Sequence, residues 1–281
     1  MPELPEVETV RRGMTERVIN KKITRVEVGR ERSVRRIGRE AVIHGLENTS
    51  IVEVRRRGKY LLCDLDSHDV MMIHLRMSGR VLIEDPDTPR LLHTHVVLSL
   101  EDSNSTIELR FVDPRTFGEV VVYEPGDEAT LVPELARLGV DPLVDEFNAE
   151  ILRKIFHGRR GGLKSLLLNQ HIVAGIGNIY ADEILHRSRL RWDRKVDSLS
   201  RRQIDVIAES IIEVMQSAVE AGGSTLNDTQ YVNVDGTFGQ YQHEHRVYGR
   251  AGELCMTCGK SRIVRVAVAG RGTWFCPRCQ R

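Results

Sequence analysis

A chain of 281 residues with 41% hydrophobic content can build two domains with real cores, and the absence of any apolar run of 18 residues excludes a membrane-spanning helix. No basic and apolar leader opens the sequence, so a cytoplasmic protein is expected. The formal charge of +1 hides an asymmetry: residues 1–60 carry 15 Lys/Arg against 9 Asp/Glu, residues 246–281 carry 8 against 1, and the stretch between is net −12. Basic ends around an acidic middle suit a bipartite surface for a polyanion, although runs such as RERSVRRIGRE (30–40) also occur as plain solvated surface.

The chain opens MPELPEVETVRRG. Removal of Met1, expected ahead of a small residue, leaves the secondary amine of Pro2 at the terminus with Glu3 and Glu6 beside it. An α-amino group titrates near pKa ~8 against ~10.4 for lysine, so roughly a tenth is unprotonated at neutral pH without a buried pocket to activate it. A proline amine that attacks a sugar aldehyde carbon gives an iminium with no N–H, which stays cationic and acts as an electron sink for elimination. The same residues also read as a helix start, with proline in the first turn and glutamates complementing the dipole. Leu4, Val7, Val10, Met14 and Val18 keep helical spacing behind them.

From about 23 to 123 the pattern changes to short β-rich runs: IVEVRRRGKYLLCDL, VMMIHLRMSGRVLI, HVVLSL, TIELRF and GEVVVY, separated by Gly, Asp, Asn and Pro. Closely spaced strands of this kind predict an antiparallel sandwich or flattened barrel. Cys63 falls in one of them and reads as a buried core thiol. The acidic, proline-bearing stretch 124–150 reads as a linker with one short helix. Helical patterns follow at 148–157, 163–170, 178–189 and about 200–221; in the last, Ser200 with Gln203 makes a capping box and Gly222 ends the helix. Residues 222–241 are rich in glycine and polar side chains without helical period, which marks a functional or mobile loop.

At the C-terminus CMTC and CPRC stand 17 residues apart. Cys255, Cys258, Cys276 and Cys279 thus match a four-cysteine zinc site in which two knuckles close a tetrahedron. A closed set of four thiolates leaves no open coordination position, so one structural Zn²⁺ is expected; two disulfides are the alternative, disfavoured in a reducing cytosol. The site pins the hairpin IVRVAVAGRGTWFC, where Arg271 stands between Gly270 and Gly272 and can meet a phosphate closely or remain a solvated turn arginine.

With MPELPEVETVRRG, RGKYLL, HLRMSGR, DPRTFGE, the LK and LNQ..VAGIGNIYADEIL region, VYGR and CMTC...GRGTWFCPRCQ in order, the sequence resembles the bacterial formamidopyrimidine-DNA glycosylases nearly end to end. That family removes oxidised purines and shares its fold with endonuclease VIII. The resemblance implies an α+β multidomain protein: an N-terminal helix-flanked β-sandwich (1–133), a linker with a helix–two-turn–helix domain and a lesion-lid loop (134–245), and a zinc finger (246–281). Damaged double-stranded DNA is the implied partner of a monomer, held in a cleft between the domains, with nucleoid association in the cytoplasm.

The resemblance also assigns roles. Pro2 displaces the damaged base and forms the Schiff base, Glu3 protonates the deoxyribose oxygen, and Glu6 orders water or protons; β- and δ-elimination then cut both sides of the lesion. Lys59, in a turn after glycine, binds DNA beside the damaged nucleotide. His74, Lys164, Asn178 and Arg271 belong to the DNA-binding set, and Asn178 also reads as a plain helix cap. Met77, Arg115 and Phe117 match the trio that fills the hole left by the extruded base: Met and Phe as apolar wedges, Arg as a hydrogen-bond donor to the orphaned partner base. Each is an ordinary core or surface residue when taken singly.

Leu4 resembles the oxidised-purine branch, whereas the endonuclease VIII branch typically carries glycine there. Two departures stand out: Asn227 in a slightly longer lid loop where a basic residue is common, and Asn169 where aspartate is common. A lesion-binding protein without catalysis, or an oxidised-pyrimidine glycosylase, is the rival reading.

Overall fold

The computed structural model describes residues 1–226 and 231–281. The chain forms two compact units, 1–137 with 221–240 and 138–220 with 241–281. Among the described residues no helix is long and apolar enough to cross a membrane.

The first unit opens with α1 (Leu4–Val18), whose Val7, Val10, Met14 and Val18 are fully buried on one stripe. After β1 (Lys22–Val28), a 3₁₀ turn and α2 (Arg39–Leu46), the chain runs through β2 (Ile51–Arg57), β3 (Tyr60–Leu65), β4 (Val70–His74), β5 (Arg80–Glu84), β6 (Thr94–Glu101), β7 (Thr106–Val112) and β8 (Glu119–Tyr123). These strands make two four-stranded antiparallel sheets, ordered β1-β6-β7-β5 and β2-β3-β4-β8. One apolar cluster takes side chains from both: Val54, Leu61, Cys63, Met71, Ile73 and Val120 from the second sheet, Val81, Ile83, Leu98, Leu109 and Phe111 from the first. The alternation of Leu61 with Cys63 and of Met71 with Ile73 is the period of two that makes one strand face the core. Cys63 is the expected core thiol, and burial pushes its pKa up to about 12.

The run VMMIHLRMSGRVLI does not stay in one sheet. It leaves the second sheet at β4 and enters the first at β5, and the chain crosses back between β7 and β8. Because β4 pairs with β8 and β5 with β7, the two crossing loops, 75–79 and 113–118, lie side by side. The topology alone therefore brings RMSG and DPRTFG together.

The acidic linker carries two four-residue helices rather than one, α3 (Glu128–Leu131) and α4 (Pro133–Ala136), the second starting at its proline. The second unit holds α5 (Ala149–Phe156), α6 (Leu163–Leu167), α7 (Asn178–Arg187) and α8 (Arg201–Glu220), followed by the hairpin β9 (Val264–Val268) and β10 (Arg271–Phe275). Ser200 and Gln203 make the reciprocal capping bonds, 2.9 and 3.3 Å, and Gly222 just beyond α8 adopts φ +72°, so this helix begins and ends as its sequence dictates. Residues 221–240 follow α8 directly in sequence but return to the first unit, where Tyr231 and Val234 join its core.

Candidate active site and nucleic-acid interface

The two readings of MPELPE separate by residue. Pro5 lies in the first turn of α1, where a missing N–H costs nothing, and Glu3 is the N-cap. Pro2 stands ahead of the helix and has no part in starting it. Glu3 and Glu6 form a capping box, with the Glu3 N–H donating to Glu6 Oε2 at 2.8 Å; both side chains are buried, Glu6 to 1% exposure. The other Glu6 oxygen accepts the Ser224 N–H at 2.7 Å. That contact depends on Gly223, whose φ is +78° and whose missing Cβ would lie 2.8 Å from Glu6 Oε1. A loop 218 positions away in sequence thus fixes the Glu6 carboxylate, and Ser224 is a site residue that local pattern could not find. The lid-loop position Asn227 lies outside the described residues.

Lys59 follows Gly58 (φ +56°) in the β2–β3 turn and is buried to 7% exposure. Arg56 braces this turn by donating to the Gly58 carbonyl at 2.9 Å and to Glu8 at 3.1 Å. On the neighbouring strand His74 pairs with Tyr60, their rings 4.2 Å apart edge to face. Burial, then the charge of Arg76, pushes the His74 pKa down to about 3. The ring is therefore neutral at physiological pH, and its Nδ1 accepts the Arg76 N–H at 3.0 Å, which places the proton on Nε2. His74 acts as a hydrogen-bond donor, not as a cation.

Met77 and Phe117 are among the exposed large apolar side chains, at 39% and 40%. The Arg115 guanidinium lies 5.0 Å from the Phe117 ring centroid, a cation–π distance. The sequence-predicted trio therefore shares one end of the sandwich with its tips outward.

Behind these loops Glu119 is fully buried and ion-paired with Arg35 (2.8 Å), Arg36 (2.8 Å) and Arg76 (2.9 Å). Burial pushes its carboxyl up, but Arg36, Arg76 and Arg35 outweigh that and hold it at about 2. A depressed carboxylate contributes stability that is complete above its unfolded pKa of about 4.3 and is lost as pH falls through the folded value. Replacing Glu119 by Gln should cost about 3 kcal/mol near neutral pH, because it leaves partly buried guanidinium groups short of a counter-charge. In urea melts the gap to the unaltered chain should narrow as pH falls below about 4; a gap independent of pH contradicts this account.

In the second unit Lys164, Asn178 and the residues after Arg271 meet. The Lys164 ammonium is enclosed: it pairs with Asp182 at 2.7 Å and donates to Thr273 Oγ1 at 2.9 Å and to the Gly272 carbonyl at 3.2 Å. Asn178 is not the cap of α7; Gly177 is, and the Asn178 amide donates to the same Gly272 carbonyl at 2.9 Å. The other Asp182 oxygen accepts the Trp274 N–H at 2.9 Å. Burial raises Asp182 to about 7 against the opposing pull of Lys164. Three side chains of the helical region therefore grip the backbone of β10 directly after Arg271. Glu183, one residue on, takes the N–H groups of Arg246, Val247 and Tyr248, which fixes the VYGR segment.

Arg271 is the first residue of β10, opposite Val268. The two turn residues, Ala269 and Gly270, have φ of +47° and +76°, the left-handed pair of a tight hairpin turn. Arg271 borders a cleft of about 260 Å³ together with Ser165, Leu168 and Asn169.

The four cysteines put their Sγ atoms within 4.8 Å of one another. Cys255 to Cys279 and Cys258 to Cys276 are each 3.8 Å apart, far beyond a disulfide bond and equal to the edge of a tetrahedron with Zn–S bonds of about 2.3 Å. Backbone N–H groups of Lys260 and Ser261 lower the Cys258 thiol, whereas burial raises Cys276 and Cys279, so four thiolates this close need a cation among them. His186 Nε2 stands 3.6 Å from the Cys255 sulfur as a supporting contact. The residues fit a closed structural zinc, which would tie the knuckles together and take no part in bond breaking.

Three family models match most of the chain. Residues 1–120 match the formamidopyrimidine-DNA glycosylase N-terminal domain, 138–230 the H2TH domain of the same enzymes, and 252–281 the zinc finger found in FPG and IleRS. A formamidopyrimidine-DNA glycosylase from a Nocardioides species is 42% identical over all of this chain and 94% of its own length. One from Cytobacillus firmus is 41% identical over the whole of both. Among solved structures, the Lactococcus lactis Fpg bound to abasic-site DNA superposes with a TM-score of 0.88 at 34% identity, covering 99% of each chain. A point mutant of that protein bound to Fapy-dG DNA gives 0.89 at 34% over the whole of both. The chain belongs to the formamidopyrimidine-DNA glycosylase family.

Proposed function

We propose that the chain is a bifunctional base-excision repair enzyme that removes oxidised purines from duplex DNA and then cleaves the strand. The observation that carries this reading is the separate place of Pro2: Pro5 lies in the first turn of the helix, and Pro2 stands ahead of it next to the buried Glu3, whose capping-box partner is the buried Glu6. With Met1 removed, the Pro2 nitrogen attacks C1′ of the damaged nucleotide, the C1′–base bond breaks, and the base departs with a proton. Glu3 protonates the ring oxygen as the sugar opens, which leaves the iminium on Pro2. Loss of a C2′ proton expels the 3′ phosphate, and a second elimination expels the 5′ phosphate. Glu6, held by the Glu3 and Ser224 N–H groups, orders the proton or water these steps need.

Lys59, His74, Asn178 and Arg271 are read as phosphate ligands, and Lys164 with Asp182 as the support of the Arg271 strand. Met77, Arg115 and Phe117 enter the duplex as the lesion leaves it. The Lactococcus protein was captured on abasic-site and Fapy-dG DNA, and the same lesion class is assigned here. We place the chain in the cytoplasm on the nucleoid, as a monomer with functional domains at 1–133, 134–245 and 246–281, of which 134–137 and 221–240 belong to the first compact unit.

A duplex with one 8-oxoguanine tests the reading. A gap with phosphate on both ends is expected. Release of the base from an intact strand overturns the lyase half, and binding without either product makes the chain a lesion-binding module. Affinity should also fall steeply with salt, by a log–log slope of roughly −0.9 for each phosphate neutralised. His74, being neutral, adds nothing to that slope; a flat dependence contradicts the phosphate ligands.

A further inference from the structure

We propose that Ser78 and Asp113 form a latch that locks the Met77 loop to the Arg115–Phe117 loop, so that the void-filling wedge is built before DNA arrives. The proposal rests on the reading of Met77, Arg115 and Phe117 as the wedge and assigns the residues that position it.

Both loops are the crossings between the two sheets, and the strand pairs that flank them set them side by side. Neighbouring loops are not thereby rigid, and each carries a strained residue, Arg76 at φ +52° and Thr116 at φ +55°. What joins them is a buried acid. Asp113 is fully buried and accepts the Ser78 hydroxyl from the other loop, the Gly118 N–H at 2.7 Å and the Arg115 N–H at 3.2 Å. Ser78, also fully buried, accepts from the Arg115 N–H at 3.3 Å while donating to Asp113. The backbone of Asp113 is itself fixed, its N–H on the His93 carbonyl at 3.0 Å and its carbonyl taking the His95 Nε2–H at 2.9 Å. Gly118 allows the fit, since a Cβ there would lie 2.6 Å from Phe111 and 3.1 Å from the Asp113 carboxylate.

The burial contrast is what makes this a positioning device. The loop bases at Ser78 and Asp113 admit no solvent, while the Met77 and Phe117 tips remain about two-fifths exposed. Extruding a base costs a few kcal/mol, and loops that must also become ordered at that step add their own entropy. A latched pair has met that ordering cost on folding. Ser78 and Asp113 touch neither sugar nor base in this account; they act through Met77, Arg115 and Phe117.

The test uses the full-length chain with Ser78→Ala, and Met77→Ala as the reference for the wedge. Two substrates separate positioning from general folding: a duplex with an oxidised guanine, and a single strand with an abasic site, which has no hole to fill. Ser78→Ala should lower excision from the duplex about tenfold, the worth of one hydrogen bond to a charged group, and leave single-strand cleavage at the unaltered rate. With 2-aminopurine opposite the lesion, the fluorescence rise that follows wedge entry should slow by the same factor. If Met77→Ala slows the duplex reaction and Ser78→Ala does not, the latch is wrong and the wedge stands. If Met77→Ala has no effect, the wedge reading fails and the latch falls with it. Equal loss on both substrates in Ser78→Ala also overturns the proposal, since the hydroxyl then supports the fold at large.

Discussion

A chain that keeps Met1 should bind lesion DNA and cleave none of it. With Met1 in place the Pro2 nitrogen is a tertiary amide without a usable lone pair, so no iminium can form. An untrimmable N-terminal extension should therefore lower strand cleavage by on the order of 10⁴-fold or more, the scale of losing a catalytic nucleophile, with DNA affinity changed little. Pro2→Gly is milder: once Met1 is removed it leaves a primary amine, whose imine can lose its proton and is the weaker electron sink. Cleavage by the extended chain at an undiminished rate would mean that another nucleophile, such as Lys59, carries the reaction.

The second large effect concerns the zinc site. The hairpin rests on a cluster of only Val247, Cys255, Ile263 and Cys276, with Trp274 and the other two cysteines at its edge. So small a core cannot fold alone, and a structural zinc contributes about 10 kcal/mol or more to such a module. Chelation should release the hairpin, undo the grip of Lys164, Asn178 and Asp182 on β10, and abolish specific DNA binding as Arg271 loses its place. Trp274 packs 4.5 Å from Tyr248, so its fluorescence should report the release. The β-sandwich has its own continuous core and should keep its melting transition. Retained DNA binding by metal-free protein contradicts this account.

The sequence made some of this legible and hid the rest, for reasons that can be named. Local devices were readable: the Ser200–Gln203 capping box, the helical stripe of α1, the alternating strands, and two C-x-x-C pairs whose spacing states their own chemistry. Each depends on residues within one turn or knuckle. What could not be read is where a polar side chain finds its partner. Glu6 meets Ser224 across 218 positions, Lys164 meets Thr273 across 109, and Ser78 meets Asp113 across 35. Asn178 reads as a cap because it opens a helix, but Gly177 takes that place and the amide goes to the Gly272 carbonyl. Lys164 is expected in the DNA-binding set, but its ammonium is enclosed by Asp182, Thr273 and the Gly272 carbonyl, partners that lie far from it in sequence.

The crossing of RMSG from one sheet to the other follows the same rule. Period and composition marked VMMIHLRMSGRVLI as one β-rich run, but sheet membership is a property of pairing, which those signals do not contain, and the run divides between two sheets. Once the pairing is known, the two crossing loops become neighbours and a buried aspartate between them gains a purpose.

The most direct measurement is reductive trapping. Trimmed protein is mixed with an 8-oxoguanine duplex and borohydride, digested, and the cross-linked peptide sequenced by mass spectrometry. One adduct is expected, on the nitrogen of an N-terminal Pro2 in the peptide beginning PELPEVETVR. A reduced adduct on Lys59 or any other lysine, or none from fully trimmed and active protein, contradicts it.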